Sequence, residues 1–252
     1  MKLFIHAMCD IGKVRANNQD MILVGNEFLR DTAKQYEFDF DSNEHPFLIA
    51  VADGMGGHKG GEYASEIVLR EMNQAIRSLP VDIDLSELKG VLKTQILAIH
   101  SRLLEEGLKD PAKTGMGTTF VGVLFFQNSV FLINIGDSRM YRFRDGLLMQ
   151  LSRDHSLSEM TGNPEAPKNI IVNSFGAGAK IFFDFENISE RIIHEDKIIL
   201  CSDGLSGELE DSEIELMLSE NNDPSALVMA VKNKEAKDNI SIVTIHYMSE
   251  EE

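Results

Sequence analysis

The sequence of 252 residues has no tryptophan, only two cysteines and only six prolines. Its apolar runs all fall short of the ~18 residues that a membrane-spanning helix needs, and its N-terminus is basic and apolar too briefly for a secretory signal. Cys9 and Cys201 lie in apolar, strand-like segments without metal-type spacing, so we expect reduced thiols in the core. These absences favour a cytoplasmic protein without a membrane anchor.

Positive charge is also scarce, since 24 Lys and Arg residues stand against 41 Asp and Glu residues, giving a net charge of -17. Such a surface repels nucleic acid and anionic membranes, and we expect neither as a partner. It also repels phosphate unless bound cations invert the local potential. The last residues, 249–252, are predicted to form a solvated acidic tail.

Three common nucleotide and nucleophile motifs are missing. Lys59 stands where a G-x-G-x-x-G would need its third glycine after Gly54 and Gly56, and neither a P-loop nor a Gly-x-Ser-x-Gly elbow is present. The seven histidines show no paired metal-ligand spacing. His58 is the one histidine inside a suspected site segment, where it is either a site residue or an ordinary loop histidine.

The sequence does contain aspartates at the ends of apolar segments that are far apart in the chain. A small residue beside such a carboxylate lets the backbone turn and a ligand approach closely. If the fold gathers these carboxylates, their mutual repulsion requires cations between them, and hard divalent metals suit oxygen ligands. The segments are Asn17-Asn18-Gln19-Asp20, Val51-Ala52-Asp53-Gly54, Ile135-Gly136-Asp137-Ser138-Arg139, Cys201-Ser202-Asp203-Gly204 and Lys237-Asp238-Asn239.

An Asp-Gly pair is also a favoured hairpin turn, and Asp145-Gly146, between two extended segments, is predicted to be one. Asp53-Gly54 and Asp203-Gly204 each follow a solid apolar run without leading directly into a returning strand. Either pair alone fits a turn better than a ligand. Their occurrence together with Asp137 and Asp238 favours a metal site.

The chain length suits either one large domain, which would span 1–252, or two small ones. Strands are grouped together, and so are helices, which favours an α+β layered fold over βαβ alternation. The segment from 118 to 151 is predicted to form a meander of short strands, and 156–169 a Pro- and Gly-containing loop. The predicted strands are 2–9, 21–25, 47–52, 118–126, 129–135, 140–144, 147–151, 188–193, 197–202 and 240–247, and the predicted helices are 61–79, 85–108, 211–220 and 224–235.

Six of these segments, in order, resemble the signature motifs of the metal-dependent protein phosphatases, the type 2C serine/threonine family. The resemblance covers 3–247 and implies two antiparallel β-sheets packed as a sandwich with helices outside, a four-layer αββα arrangement. The motifs are Arg15-Ala-Asn-Asn-Gln-Asp20, Val51-Ala-Asp-Gly-Met-Gly-Gly-His58, Gly117-Thr118-Thr119, Gly136-Asp-Ser-Arg139, Ser202-Asp-Gly-Leu205 and Lys237-Asp-Asn239.

The resemblance also implies a metal centre. Asp53 would bridge two Mn²⁺ or Mg²⁺ ions, and the Gly54 carbonyl would bind one of them. Asp203 and Asp238 would bind the other ion.

Three further residues receive roles from the same resemblance. Asp20 would orient metal-bound water without touching a metal, and Arg15 would bind the substrate phosphate. Asp137, with Asp203, matches a third, weaker metal site; the alternative for Asp137 is a structural residue that caps a turn or pairs with Arg139.

The implied activity is hydrolysis of phosphoserine and phosphothreonine on proteins by a metal-activated water, in a monomer that opposes a Ser/Thr kinase. A regulatory phosphoprotein binder with little turnover and a small-molecule phosphomonoesterase remain alternatives. The sequence departs from the family at Met55, where animal members carry histidine, at Gln19, and at Ser174, where arginine is common. The flap at about 156–169 is shorter than usual, which leaves substrate choice open.

Overall fold

The computed structural model describes residues 1–56, 60–163, 165–167, 170–220 and 223–248. His58 and the tail 249–252 therefore lie outside the described residues, as do residues 164, 168 and 169 of the flap. The strands are β1 Lys2–Asp10, β2 Met21–Val24, β3 Glu27–Leu29, β4 Thr32–Asp39, β5 Phe47–Ala52, β6 Gly54–Met55, β7 Gly117–Thr118, β8 Phe120–Phe126, β9 Ser129–Ile135, β10 Arg139–Arg144, β11 Leu147–Gln150, β12 Asp184–Asn187, β13 Lys197–Cys201 and β14 Ile240–Met248. The helices are α1 Gly60–Arg77, α2 Leu85–Lys109, α3 Leu157–Thr161, α4 Asp203–Ser206, α5 Asp211–Glu220 and α6 Pro224–Asn233.

Within these residues the strands form two antiparallel six-stranded sheets and one short pair. The first sheet, called the C-terminal sheet because it contains β13 and β14, has the order β11-β10-β13-β14-β1-β4. The second, called the central sheet because it contains β8 and β9, has the order β12-β9-β8-β5-β2-β3. The short pair joins β6 to β7.

The apolar pattern of the strands explains the layers. In β5, Leu48 and Ala50 pack towards helices α1 and α2, whereas Ile49 and Val51 pack into the space between the sheets. Alternate side chains of a strand point to opposite faces, so one strand supplies two cores. A third core lies between the C-terminal sheet and α4 to α6. The order is helix, sheet, sheet, helix, which confirms the predicted αββα sandwich.

Two strand predictions were wrong. The predicted meander is two hairpins in different sheets, because β8 pairs with β9 in the central sheet and β10 pairs with β11 in the C-terminal sheet. The strand predicted at 188–193 is a 3-10 turn at Ser189–Arg191, preceded by the strand β12. Its buried Ile188 and Ile192 are four residues apart, a spacing that suits a helical turn better than a strand.

Other predictions were confirmed. The Asp145-Gly146 hairpin joins β10 to β11 with positive φ values of 50° and 79°, as a type I′ turn requires. Cys9 and Cys201 are both buried and free, and burial raises the pKa of each thiol to about 12. Among the described residues, we find no helix with the length and apolarity to span a bilayer.

Candidate metal centre

The pairing of the strands brings the predicted aspartates to one edge of the sandwich. Asp20 precedes β2 and Asp53 follows β5, and these strands pair in a register that places Met21 opposite Ala52. In the C-terminal sheet, Cys201 at the end of β13 pairs with Ile242 near the start of β14. Asp203 and Asp238 flank those two strand ends, so carboxylates from both sheets meet at this edge.

Asp53 is held by its backbone rather than by its carboxylate. Its N–H donates to Thr119 Oγ1 at 3.0 Å, and its carbonyl accepts from Thr118 Oγ1 at 2.8 Å and from the Thr119 N–H at 2.9 Å. The carboxylate is left to face Asp203. Burial, followed by the charges of Asp20 and Asp203, raises the pKa of Asp53 well above its ordinary value.

Gly54 is needed because other backbone approaches it closely. A Cβ at Gly54 would lie 2.2 Å from the Gly61 carbonyl oxygen and 2.5 Å from that of Gln19. Gly204, after the second aspartate, is equally confined, since its Cβ would lie 1.8 Å from the Asn239 carbonyl oxygen. Both Asp-Gly pairs thus lie where chains converge, and neither is a hairpin turn.

Asp203 follows β13 and begins α4. In the described part of the chain its Oδ1 is buried without a hydrogen-bond partner. Burial is the main cause that raises the pKa of Asp203, and the charge of Asp238 adds to it. A buried carboxylate oxygen without a donor is costly, so this atom is a candidate metal ligand.

Asp20 is 1% exposed and is held from both sheets. Its Oδ2 accepts from Ser202 Oγ at 2.7 Å, and its carbonyl accepts from Arg30 Nε at 3.0 Å. Burial raises the pKa of Asp20 to about 7, the charges of Asp203 and Asp238 act in the same direction, and the Ser202 hydrogen bond opposes them. Asp20 is thus less exposed than Asp53, Asp137 and Asp203.

Asp137 lies at the crossing from β9 to β10 and is 8% exposed. Its Oδ1 is buried and, among the residues that the structure describes, has no hydrogen-bond partner. Arg139 directs its guanidinium to the Asp154 carboxylate, at 2.7 to 3.0 Å, and to Tyr141 Oη. The alternative in which Asp137 pairs with Arg139 is therefore not what the structure shows. Burial, with the charges of Asp203 and Asp154, raises the pKa of Asp137 to about 7.

Asp238 is bound by Arg15. Arg15 Nε donates to Asp238 Oδ1 at 2.9 Å and Arg15 Nη2 to Asp238 Oδ2 at 2.6 Å, in the planar two-point geometry that guanidinium offers to oxyanions. The neighbouring Asn239 accepts from the Gln19 N–H at 2.8 Å and donates to the Ile11 and Asn17 carbonyls. The loop that bears Arg15 is thereby fastened to the loop that bears Asp238.

The residues present fit divalent cations. Two buried carboxylate oxygens in the described ranges, Oδ1 of Asp137 and of Asp203, lack a donor, and the acidic groups raise one another's pKa. A bound cation would give these oxygens a partner and would also cancel the repulsion between the carboxylates. Among those same ranges no three His, Cys, Asp or Glu side chains already stand in a metal-holding arrangement. The carboxylates instead contact one another, or Arg15, in pairs.

Two of the departures from the family pattern lie side by side, because Ser174 Oγ donates to Met55 Sδ at 3.8 Å. Sequence reasoning missed several supports of the site: Ser202 under Asp20, the Arg139–Asp154 pair, and His155, whose Nδ1 accepts from the Gly136 N–H. Ser202 and Arg139 stand in signature motifs but had no role assigned to them, and Asp154 and His155 belong to no motif found in the sequence. Their positions follow from the meeting of distant loops.

Comparisons with known proteins agree on one family. The family model described as Protein phosphatase 2C matches residues 30–237. Serine/threonine protein phosphatase PstP of Mycobacterium tuberculosis is 32% identical over 217 residues, which cover 82% of this chain and 37% of that protein.

Solved structures resemble the whole chain. The S. agalactiae serine/threonine phosphatase superposes with a TM-score of 0.81 at 26% identity, covering 98% of this chain and 100% of that one. The catalytic domain of PstP, solved in complex with two manganese ions, gives a TM-score of 0.73 at 26% identity over 99% of this chain and 100% of that one.

Proposed function

We propose roles for the site residues of this chain, which belongs to the protein phosphatase 2C family and is a metal-dependent serine/threonine protein phosphatase. Asp53, the Gly54 carbonyl, Asp203 and Asp238 hold two divalent ions. Asp137, together with Asp203, holds a third and weaker one.

One observation carries this assignment. Asp53, Asp137 and Asp203 come from different strand ends. Burial is the largest cause that raises the pKa of each, and the charge of at least one other aspartate of the site adds to it. A structural carboxylate would have its oxygens paired with a cation or with backbone donors. Among the described residues, however, Oδ1 of Asp137 and Oδ1 of Asp203 are buried without a hydrogen-bond partner. These carboxylates are therefore arranged to bind a cation that prefers oxygen ligands.

When bound, a pair of such ions lowers the pKa of a water and stabilises an in-line displacement at phosphorus. Side chains of the protein orient that water. Asp20, buried and bonded to Ser202, orients water at the site. We propose Mn²⁺ or Mg²⁺ as the ions, since both prefer carboxylate and carbonyl oxygens, and the manganese complex of the PstP catalytic domain supports the choice of Mn²⁺.

Arg15 binds the substrate phosphate in this proposal. Its side chain is 52% exposed at the edge of the site. It donates two hydrogen bonds to Asp238, and the same bidentate geometry would bind two phosphate oxygens. Its fixed positive charge also provides local attraction for an incoming anion in a protein whose net charge is -17.

The wider assignments rest on the same site. We also propose one phosphatase domain over 1–252 that acts as a monomer. A Ser/Thr kinase must produce its phosphoprotein substrate. Buried free thiols at Cys9 and Cys201 support a reducing, cytoplasmic setting.

The test compares a phosphoserine or phosphothreonine peptide with p-nitrophenyl phosphate, each with and without Mn²⁺. We expect Mn²⁺-dependent turnover of both, with the higher kcat/KM for the peptide. Peptide binding with negligible turnover would indicate a regulatory binder, and preference for the small ester would indicate a small-molecule phosphomonoesterase.

A further inference from the structure

His155 is a buried histidine outside the carboxylate set, and it contacts the turn that bears Asp137. The residue is 1% exposed and lies two residues before Leu157, where the flap helix α3 begins. Its Nδ1 accepts from the Gly136 N–H at 3.1 Å, while its own backbone N–H donates to the Gly136 carbonyl at 2.9 Å. Both polar backbone groups of Gly136 are therefore bound to one residue.

The hydrogen bonds assign the tautomer of His155. A backbone N–H can only donate, and the Asn173 side-chain amide also approaches Nδ1, at 2.8 Å. Nδ1 must therefore be unprotonated, which leaves the ring proton on Nε2. Nε2 lies 3.1 Å from Asp184 Oδ2, an acceptor on β12. Asp184 thus holds the ring in the form that can accept from Gly136.

The position of Gly136 controls the direction of the Asp137 carboxylate. Gly136 has φ of +110°, and a Cβ there would lie 2.6 Å from Thr119 Cγ2, so the turn is tightly confined. Within the described residues, Asp137 Oδ1 has no hydrogen-bond partner that could orient it. The direction of the carboxylate therefore depends on the backbone of the turn, which His155 fixes.

His155 also contacts the far end of the flap, through its backbone carbonyl and through its ring. The Val172 N–H donates to the His155 carbonyl at 2.9 Å. The amide of Asn173, whose Nδ2 also contacts the ring, is bonded to the Phe182 carbonyl at 2.8 Å and to the Phe182 N–H at 3.1 Å. Both ends of the flap and the Asp137 turn thus meet at His155.

We propose that His155, held as its Nε2–H tautomer by Asp184, is a positioning residue that aims the Asp137 carboxylate. It also fixes the base of the flap relative to that carboxylate. The inference rests on the proposed function, because it takes Asp137 as the ligand of the weaker ion. Outer hydrogen-bond partners of a metal ligand commonly change metal affinity by about 10- to 100-fold.

Two substitutions of the same residue separate positioning from packing. Asn carries its carbonyl oxygen at about the position of Nδ1 and can still accept from Gly136, whereas Gln places its polar atoms near Nε2. We expect His155→Gln to raise the Mn²⁺ dissociation constant of the weak site about tenfold or more, with the tight pair unchanged. His155→Asn should recover most of that loss. Calorimetric Mn²⁺ titration of the whole chain measures both sites.

His100 provides a matched control. It is also buried, and its Nδ1 also accepts from a glycine N–H at 3.1 Å, but that glycine is Gly176, which is not part of the turn that bears Asp137. His100→Gln should lower the melting temperature and leave the Mn²⁺ titration unchanged. If His155→Gln and His100→Gln lower the melting temperature alike and neither alters the weak site, the positioning role is refuted.

Asp137→Ala distinguishes this inference from the assignment beneath it. If that variant titrates like wild type, Asp137 is not a ligand and the proposed function loses its third site. If Asp137→Ala removes the weak phase while His155→Gln leaves it intact, only the positioning role fails. Should His155→Gln not fold, Asp184→Ala is the test, since Asp184 is 35% exposed and its loss spares the core. An unaltered weak site in Asp184→Ala would overturn the inference.

Discussion

The two ends of strand β13 carry aspartates with opposite surroundings. Asp196, before the strand, is fully buried, and Arg144 binds both of its carboxylate oxygens at 2.6 Å. The Ile193 N–H donates to it as well, at 2.8 Å. Asp203, after the strand, faces Asp53, and in the described part of the chain its Oδ1 has no donor.

This comparison shows that burial alone does not identify a functional carboxylate. Asp196 is a buried charge whose cost is offset by a guanidinium and a backbone donor, so it serves the fold. Asp203 is buried against other carboxylates, an arrangement that costs stability until a cation binds. Four predictions test whether the two ends of the sandwich differ in this way.

The largest effect is expected at the acidic end. Asp203→Asn, like Asp53→Asn and Asp238→Asn, should reduce Mn²⁺-dependent kcat/KM for a phosphopeptide by more than about 100-fold, since each loses a metal ligand. Thermal denaturation in a chelator should show unchanged or higher stability, because a repelling charge is gone. Substantial turnover in all three variants would refute the metal-centre assignment.

At the other end of β13, a substitution of Asp196 should lower the free energy of unfolding rather than the activity. Asp196→Asn leaves the Arg144 guanidinium without its countercharge, so we expect a loss of about 3 kcal/mol, or ~6–12 °C in melting temperature. Mn²⁺-dependent turnover of the folded protein should match wild type. In the double variant Arg144→Met/Asp196→Leu, which removes both charges, stability should partly recover. A changed Mn²⁺ titration in Asp196→Asn would erase the contrast between the two ends.

The pH dependence of the metal-free protein gives a smaller difference. The pKa of Asp137 is raised to about 7, so the folded chain holds its proton more tightly than the unfolded chain does. The stability due to this group therefore falls as the pH rises from about 4 to 7. The advantage of Asp137→Asn over wild type in a chelator should grow by up to ~1.4 kcal/mol per pH unit in that window, then level off. Denaturant titrations at pH 5, 6, 7 and 8 measure it, and a constant difference would contradict the buried, charge-repelled carboxylate.

The smallest effect is expected at the exposed Arg15. Arg15→Ala should raise KM for the phosphopeptide about tenfold with a smaller loss in kcat, because phosphate is bound alike in ground and transition states. Arg15→Lys is the matched control, which keeps the charge and loses the bidentate geometry. An unchanged KM with a collapsed kcat would exclude the phosphate-binding role.

Strong local patterns made much of the fold predictable. The boundaries of β5, β9 and α5 agree with the sequence prediction, since each element has a clear apolar pattern ended by Asp, Gly or turn residues. The edge strand β4 was missed because most of its side chains are exposed, so it has no clear apolar pattern. Its backbone pairing with β1 stabilises the strand instead. The passage of the chain from the central sheet to the C-terminal sheet between β9 and β10 was also missed. It takes place in a short turn through Gly136, and the local sequence does not show which sheet the next strand joins.

By itself, the sequence determined which aspartates end apolar segments, that Gly54 and Gly204 accompany two of them, and which family they resemble. Only the tertiary structure decided which carboxylates face one another, that Arg15 binds Asp238, and that Asp203 is donor-free at Oδ1, among the described residues, while Asp196 is paired. It also decided that His155 meets Gly136. The reason is physical: local sequence fixes the strands and turns, whereas the partner of a buried charge is set by sheet register and by loops that are distant in the chain.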